Sequence, residues 1–252
     1  MGVLVVIPAR YGSTRFPGKP LALLHGKPVI QHVYEQAAKA RSADDVVVAT
    51  DDERIMAAVT RFDGHAVMTS PSARSGTDRV AEAARARPAE VVINVQGDEP
   101  LVHAEMVDQL AECLTRHQAI PMASLMVALR QDTDANNPNV VKVVTDRDGF
   151  ALYFSRAAIP FRRGTPAEKA GPRFYKHLGI YGYQRHFLLQ FPSLPPTPLE
   201  QLEQLEQLRA LEHGYRIKLL ETVHDTIGVD TPEDLKRVEQ LLAKARQVTS
   251  DK

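Results

Sequence analysis

The fold is decided first by residues 3–20, which read VLVVIPARYGSTRFPGKP. Residues 3–7 are all apolar, which is typical of a strand buried on both faces of a sheet. A loop with small residues and the cations Arg10, Arg15 and Lys19 follows at once. Ligands of α/β sheets bind beyond the carboxyl ends of the strands, and such a loop can offer N–H groups and positive charge to a polyphosphate. We therefore predict an anion-binding loop, with a solvated basic surface loop as the alternative.

The glycines of this loop do not have the spacing of a Walker A motif. Five residues separate Gly12 from Gly18, where that motif has four. Pro20 stands where a Ser or Thr would hold magnesium. The loop is therefore not a P-loop of the Walker type.

Outward from this loop, short apolar strands alternate with amphipathic helices. Residues 46–49 and 91–95 have the pattern of further buried strands. Apolar stripes at helical spacing begin near Val29, Ile55 and Val107. Such alternation produces right-handed βαβ units. We predict an α/β fold of the Rossmann-like type, with a mainly parallel sheet flanked by helices.

The second half of the chain is less regular. Strands are predicted at 140–144, 150–154 and 177–183, not all of them parallel. Residues 162–173 are polar with glycine and proline, which predicts a mobile loop that closes over ligands. No long linker is present, so we expect a single domain over residues 1–252. Its predicted parts are a nucleotide-binding part at about 1–130, a smaller mixed substrate-binding part at about 131–225, and a C-terminal helix at 231–246.

Two helix starts carry capping signals. Thr197-Pro198 has Glu200 at the third position after the threonine, and Gly214 supplies a stop. Thr231-Pro232 with Asp234 opens the C-terminal helix, although Asp stands where the capping box has Glu or Gln.

A Leu-Glu-Gln repeat fills the first of these two helical segments, with leucines at Leu199, Leu202 and Leu205. A spacing of three falls short of one helical turn, so the leucines wind around a continuous helix. More than one side of this helix should be buried, either in the core or against a second subunit.

Composition excludes several classes of protein. Thirty-one basic residues balance thirty-one acidic ones, which argues against a general nucleic-acid or anionic-membrane surface. Cys113 is the only cysteine, so no intrachain disulfide forms, and no zinc motif is present. The apolar run at 3–9 is too short for a signal peptide or a membrane span. A cytoplasmic enzyme is the expectation.

The opening motif resembles that of the sugar nucleotidyltransferases, and closely that of the cytidylyltransferases for the eight-carbon sugar acid 3-deoxy-manno-octulosonate (Kdo). The match extends to about residue 239. Its further motifs are Ala49-Thr50-Asp51, SGTDR at 75–79, NVQGDEP at 94–100, Asn137-Pro138-Asn139, Lys142-Val143-Val144, ALYFSR at 151–156, HLGIYGY at 177–183, LEQLR at 205–209 and GVDTPED at 228–234. The resemblance implies transfer of CMP from CTP to the anomeric hydroxyl of Kdo for lipopolysaccharide biosynthesis. It also implies magnesium as cofactor, and a homodimer formed through the substrate-binding part.

Resemblance further implies that Arg10 and Lys19 hold the triphosphate and act in catalysis with Asp98. The nucleotide-binding residues it implies are Arg10, Ser13, Arg15, Lys19, Arg74, Ser75, Gly76 and Gln96. Arg79 is interpreted as a structural ion-pair residue instead, because a helix starting near Thr77 would carry it past the pocket.

Asp98 ends a buried strand, where a hard carboxylate suits Mg²⁺. Resemblance implies that Asp98 is the metal ligand and that Asp230 is its distant partner. Asp230 could instead cap the last helix, but Thr231 already fills that role. Glu99 is interpreted as a turn residue, because Pro100 follows it.

For the sugar, resemblance points to Arg156, His177, Tyr181, Glu206 and Gln207. Arg156 could instead pair with a nearby acid, and His177 could be a buried strand histidine. The repeat offers three Glu-Gln pairs, and Glu206-Gln207 is chosen because it alone precedes Leu208-Arg209. Histidines outside the motifs, such as His213 and His224, receive no functional role.

Two other functions stay open on the sequence. The opening motif also fits cytidylyltransferases for another sugar acid, such as a sialic acid. A non-catalytic nucleotide-binding regulator on the same scaffold is the rival from another class. The set Lys19, Asp98 and Asp230 argues against it, because a mere binder has no need for a split metal site.

Overall fold

A twisted sheet covered by helices on both faces forms the centre of the molecule. The computed structural model describes residues 2–12, 16–129, 132–163 and 174–250. The strands are β1 (Val3–Ala9), β2 (Leu23–Leu24), β3 (Lys27–Pro28), β4 (Asp45–Thr50), β5 (Ala66–Met68), β6 (Val91–Asn94), β7 (Met122–Ala128), β8 (Lys142–Thr145), β9 (Ala151–Ser155), β10 (Tyr175–Gln184) and β11 (Ile217–Glu221). The α-helices are α1 (Val29–Ala37), α2 (Glu53–Arg61), α3 (Gly76–Arg85), α4 (Ala104–Arg116), α5 (Arg185–Gln190), α6 (Pro198–Glu203), α7 (Gln207–Glu212) and α8 (Pro232–Ser250).

The sheet runs in the order β11-β7-β10-β6-β1-β4-β5. The pairs that β1 makes with β4 and β6, and β4 with β5, are parallel, which confirms the predicted βαβ half. Strand β10 runs antiparallel to both β6 and β7, and β8 pairs antiparallel with β9 and β10. The prediction that the later strands are not all parallel is therefore also confirmed. Strands β5, β7 and β11 were not predicted.

The alternation of side chains along β1 builds two cores. Val3, Val5 and Ile7 pack on one face of the sheet with residues of α1, α2 and α4. Leu4 and Val6 pack on the other face with residues of α3 and α5. Because successive side chains of a strand point to opposite faces, an all-apolar strand has to be covered on both sides.

The Leu-Glu-Gln segment is not one continuous helix, which corrects the prediction. Helix α6 ends where Gln204 takes a left-handed conformation (φ 53°), and α7 begins three residues later. The break resets the helical phase, so Leu205 and Leu208 are buried while Leu202 is 80% exposed. A spacing of three, which would wind around an unbroken helix, is thus accommodated by two short helices.

Helix α8 starts as predicted and positions the segment that precedes it. The Asp234 carboxylate accepts the Thr231 N–H at 3.0 Å, and the Asp234 N–H donates to the Thr231 hydroxyl at 3.2 Å. Val238 is buried in a separate apolar cluster with Leu24 and Val29. This contact ties α8 to the segment that follows the anion-binding loop.

Two further expectations concern the described part of the chain. The predicted mobile loop at 162–173 falls mostly on residues 164–173, which lie outside the described residues. No described helix combines the length and the apolar character that crossing a membrane requires.

Candidate functional site

A cleft of about 300 Å³ lies beyond the carboxyl ends of β1 and β6. Arg10 follows β1, while Gln96, Gly97 and Asp98 follow β6, and all four line the cleft. These strands are parallel neighbours, and β6 borders the antiparallel β10. From β1 the chain adds β4 and β5 on one side and then returns to the other side of β1 with β6, so the strand order reverses at this site. Such a reversal is a place at which α/β sheets bind ligands.

Lys19 joins the two aspartates that the sequence analysis assigned to a metal. Its ammonium donates to a carboxylate oxygen of Asp98 and, at 3.0 Å, to one of Asp230. Burial alone would lower the pKa of Lys19, but the attraction of Asp98 and the hydrogen bonds to both carboxylates raise it. Lys19 is only 14% exposed, so it is a partly buried, paired cation and not a solvated loop lysine.

Residues 98 and 230, distant in sequence, are thus adjacent in space. The Val229 N–H also donates to the Asp98 carbonyl at 2.8 Å, which fixes the two segments to each other. A cation already lies between these carboxylates in the form of the Lys19 ammonium. Hard carboxylate oxygens gathered around positive charge in an open cleft fit the chemistry of a Mg²⁺ site.

The start of α3 forms one wall of the cleft. Ser75 caps this helix, because its hydroxyl accepts the Asp78 N–H at 3.1 Å. The adjoining Gly76 and Arg74 line the cleft, and the Arg74 guanidinium donates to the Pro192 carbonyl at 3.0 Å. A helix N-terminus carries partial positive charge, which favours an anionic ligand there.

Arg79 and Gly97 support this cleft from below. Arg79 is buried and pairs with Asp51 at 2.8 Å, as expected of a structural ion-pair residue. It also lines the cleft, however, so α3 does not carry it past the pocket as predicted. A Cβ atom on Gly97 would lie 2.8 Å from the Pro8 carbonyl oxygen. Only glycine allows the segment after β6 to approach the end of β1 this closely. Gly97 lies in the NVQGDEP motif, but no role was predicted for it from the sequence.

A second cavity, of about 1050 Å³, adjoins the first, and Asp230 lines both. Four of the five residues assigned to the sugar line this cavity, namely Arg156, His177, Tyr181 and Gln207. They come from β10, α7 and the residue after β9. The antiparallel strand β10 therefore forms part of the wall of the second cavity.

His177 is buried on β10 and lines the second cavity. Its Nε2 lies 2.9 Å from the Ser124 hydroxyl, which itself donates to the Ile180 carbonyl at 2.8 Å. Because that hydroxyl has a single proton, His177 is assigned as the donor through Nε2–H. Burial, followed by the charge of Lys176, lowers the pKa of His177 to about 3. The ring is therefore neutral, and it is both a hydrogen-bonded strand histidine and a wall of the cavity.

Tyr181 and Gln207 form a polar pair at the same wall. The Tyr181 hydroxyl donates to Gln207 Oε1 at 3.2 Å. Burial, followed by the charge of Glu206, raises the pKa of Tyr181, so it keeps its proton. The Nε2 of Gln207 is buried and has no hydrogen-bond partner among the described residues. A buried amide donor without a partner fits a cavity that binds a hydroxylated ligand.

Glu206 does not line this cavity, which corrects its expected placement beside Gln207. Its carboxylate accepts the Thr77 hydroxyl and lies 4.0 Å from Arg209. Glu206 precedes α7 and Gln207 begins it. Successive residues there point in different directions, so the pair chosen from sequence is divided between two environments.

Arg156 and Glu203 brace the cavity. The Arg156 guanidinium donates to the carbonyls of Glu203 at 2.8 Å and Pro138 at 3.0 Å. The Glu203 carboxylate accepts the Ser155 hydroxyl at 2.6 Å and the Arg156 N–H at 2.9 Å. Lys142 Nζ, buried below them, donates to three backbone carbonyls. Neither Glu203 nor Lys142 was predicted from the sequence to have a structural role.

Glu99 is more than a turn residue. Its backbone closes the expected turn, with the Glu99 N–H donating to the Gln96 carbonyl at 3.1 Å. Its carboxyl group lines the second cavity. Burial, followed by the neighbouring charge of Asp98, raises the pKa of Glu99 to about 7.

Ser13 and Arg15, both assigned to the nucleotide, lie outside the described residues.

Several known proteins resemble this chain over nearly its whole length. The cytidylyltransferase family profile matches residues 4–219. A 3-deoxy-manno-octulosonate cytidylyltransferase of Geobacter sulfurreducens is 51% identical over 94% of this chain and 98% of its own length. A 3-deoxy-manno-octulosonate cytidylyltransferase of Syntrophobacter fumaroxidans is 54% identical over 97% of this chain and 98% of its own length. A solved structure of CMP:2-keto-3-deoxy-manno-octonic acid synthetase complexed with CTP superimposes with a TM-score of 0.91 at 45% identity, covering 97% of this chain and 100% of that one.

Proposed function

The chain belongs to the cytidylyltransferase family, and we propose that it transfers CMP from CTP to Kdo. The relatives that it matches over nearly their whole length are 3-deoxy-manno-octulosonate cytidylyltransferases. The observation that carries the proposal is the pair of adjoining cavities that share Asp230. One has cations and a helix N-terminus, which suit a nucleotide triphosphate. The other has neutral hydrogen-bonding groups and the cation Arg156, which together suit a hydroxylated sugar acid.

In the proposed reaction the anomeric hydroxyl oxygen of Kdo attacks the α-phosphorus of CTP. A new P–O bond forms, and the hydroxyl proton passes to water. The bond between the α-phosphorus and the oxygen that bridges it to the β-phosphorus breaks, and pyrophosphate leaves. Such a displacement asks the protein mainly for alignment and charge neutralisation. Arg10 and Lys19 supply positive charge at the cleft where the triphosphate would lie.

We propose that Asp98 and Asp230 hold magnesium when CTP binds. The bound ion would neutralise phosphate charge and could lower the pKa of the sugar hydroxyl. Lys19, which now bridges both carboxylates, would then be released towards the phosphates. The negative charge of Asp98 and Asp230 would thus be balanced by Lys19 in the free enzyme and by magnesium in the bound enzyme.

The sugar would lie in the second cavity, beside Asp230. Gln207 Nε2 would donate to a sugar oxygen, and the neutral His177 ring and Tyr181 would complete the wall. Arg156 stands as the cation for the sugar carboxylate. Groups built to pair with particular hydroxyls are left unpaired by the wrong sugar, so discrimination between sugars can be large.

The test is pyrophosphate release from CTP with magnesium and Kdo, with a sialic acid in its place, and without any sugar. We expect pyrophosphate release only in the reaction that contains Kdo. Release with the sialic acid instead would move the enzyme to another sugar acid. CTP binding without release in any of the three reactions would indicate a nucleotide-binding regulator.

We further propose that the enzyme works as a homodimer in the cytoplasm, where CTP is available. The exposed side chains of Leu152 and Leu202, 62% and 80% accessible, support the dimer. They lie on β9 and α6, which Glu203 connects through its bonds to Ser155 and Arg156. Sedimentation of the purified enzyme would give the oligomeric state directly.

A further inference from the structure

A group of metal-ligating side chains lies outside the site described above. His103, Glu105 and His224 each offer one ligand atom, and these atoms lie within 4.8 Å of one another. His103 Nδ1 is 4.0 Å and His224 Nε2 is 3.9 Å from the same Glu105 oxygen. The two imidazole rings are stacked, with centroids 4.1 Å apart. Two segments more than a hundred residues apart in sequence therefore bring three donors together.

We propose that His103, Glu105 and His224 form a binding site for a divalent transition metal of the zinc class. Two imidazole nitrogens and one carboxylate oxygen are a donor set that suits Zn²⁺ and leaves a coordination position for water. Mg²⁺ prefers an all-oxygen site and is not expected here. The cluster is open to solvent, since His103 and Glu105 are 50% and 66% exposed, so a metal can enter without unfolding.

The protonation state of the first histidine supports the assignment. Partial burial, followed by the neighbouring His224, lowers the pKa of His103. Its imidazole is therefore neutral at neutral pH and can offer a lone pair to a metal. Glu105 and Lys39 are the other charged groups that act on His103.

The position of this cluster suggests what a bound metal would do. His103 lies five positions after Asp98, and His224 lies six positions before Asp230. The same two segments also touch where Glu99 bonds to Thr226, and where Val229 bonds to Asp98. A metal bound by His103 and His224 would add a further link between these two segments. It would hold together the two segments that carry the aspartates of the active site.

The experiment is a Zn²⁺ titration of the full-length enzyme against a chromophoric chelator, with excess Mg²⁺ present to occupy the carboxylates of the active site. We expect the wild type to take one equivalent of Zn²⁺ in competition with the chelator. His103→Gln and His224→Gln should each lose this binding. His65→Gln is the matched control. It removes an exposed histidine that also faces a carboxylate, Asp45 at 3.0 Å, and it should bind Zn²⁺ like the wild type.

Two outcomes would overturn the proposal. One is unchanged Zn²⁺ binding by both His103→Gln and His224→Gln, and the other is an equal loss in His65→Gln. If a histidine variant fails to fold, Glu105→Gln decides, because its side chain is exposed near the start of α4. Weaker Zn²⁺ binding by Glu105→Gln than by the wild type supports the site, and unchanged Zn²⁺ binding refutes it. Thermal melts with and without Zn²⁺ provide a readout independent of activity, because a ligand that binds only the folded state raises its stability.

Discussion

Replacing Lys19 by Met tests the charge arrangement at the centre of the proposed active site. The substitution keeps a long apolar side chain but removes the cation that both Asp98 and Asp230 bind. An ion pair contributes about 0–1 kcal/mol at the surface, and breaking a buried one costs roughly 3–5 kcal/mol. Lys19 is 14% exposed, while the two carboxylates are 27% and 43% exposed. The loss should therefore lie between these limits, at about 2 kcal/mol.

For a chain of 252 residues, this loss corresponds to a decrease in Tm of about 4–8 °C. The control is Lys27→Met. It breaks the Lys27–Glu35 pair, whose members are 43% and 39% exposed. That pair should contribute only about 0.5 kcal/mol, or about 1–2 °C. Urea and thermal unfolding followed by circular dichroism would measure both variants.

Magnesium provides the second arm of this experiment. If Asp98 and Asp230 hold Mg²⁺, the ion replaces the lost ammonium, and it should raise the Tm of Lys19→Met by more than that of the wild type. Turnover should remain strongly reduced, because the charge at the phosphates is still missing. A Tm of Lys19→Met as high as that of Lys27→Met would refute the energetic reasoning. An equal response of both proteins to Mg²⁺ would refute the metal assignment.

Further predictions concern the two cavities and the surface. Asp98→Asn should lose most Mg²⁺-dependent turnover while its circular dichroism spectrum stays that of the wild type; near-normal turnover would contradict the assignment. Gln207→Leu should raise the KM for Kdo roughly ten-fold, because a buried hydrogen bond is lost, with CTP binding by calorimetry unchanged; the exposed Gln201→Leu is the control. The pKa of His177 is lower in the folded state, about 3 against 6.5, so its contribution to stability is present above pH 6.5 and is lost as the pH falls towards 3. His177→Gln should therefore show a shallower loss of stability between pH 6.5 and 4.5 in urea titrations, and an unchanged slope would exclude this cause. Leu202→Glu should sediment as a monomer at concentrations where the wild type is a dimer, and an unaltered dimer would place the interface elsewhere.

Much of the fold follows from local patterns. The apolar runs within β1, β4 and β6 predict buried parallel strands, and the pairings of β1 with its two neighbours confirm them. The start of α8 was also predictable, because Thr231 and Asp234 interact within one helical turn. Strand β7 was not predicted. Its sequence, MASLMVA, has no alternation of polar and apolar residues and little of the β-branched character that marks a strand.

The break at Gln204 shows where local reasoning stops. A repeat with a spacing of three has no stable stripe on a helix, and the sequence alone did not reveal that the chain would interrupt the helix. The break places Leu205 and Leu208 in the core and leaves Leu202 on the surface. Glu206 then precedes α7 and Gln207 begins it, so their side chains point in different directions. The choice of that pair therefore identified one residue of the second cavity and one residue that lies outside it.

By itself, the sequence determined the α/β class and predicted an anion-binding loop after the first strand. Through resemblance it also pointed to several of the residues that line the two cavities. These features depend on neighbours along the chain, so periodicity and motif spacing record them. Only the tertiary structure decided which distant groups meet. It brings Asp230 to Lys19, Ser124 to His177, and His224 to His103. Such contacts depend on the strand order and on the packing of α8 against the loop region, and neither is encoded in the spacing of residues within a single segment.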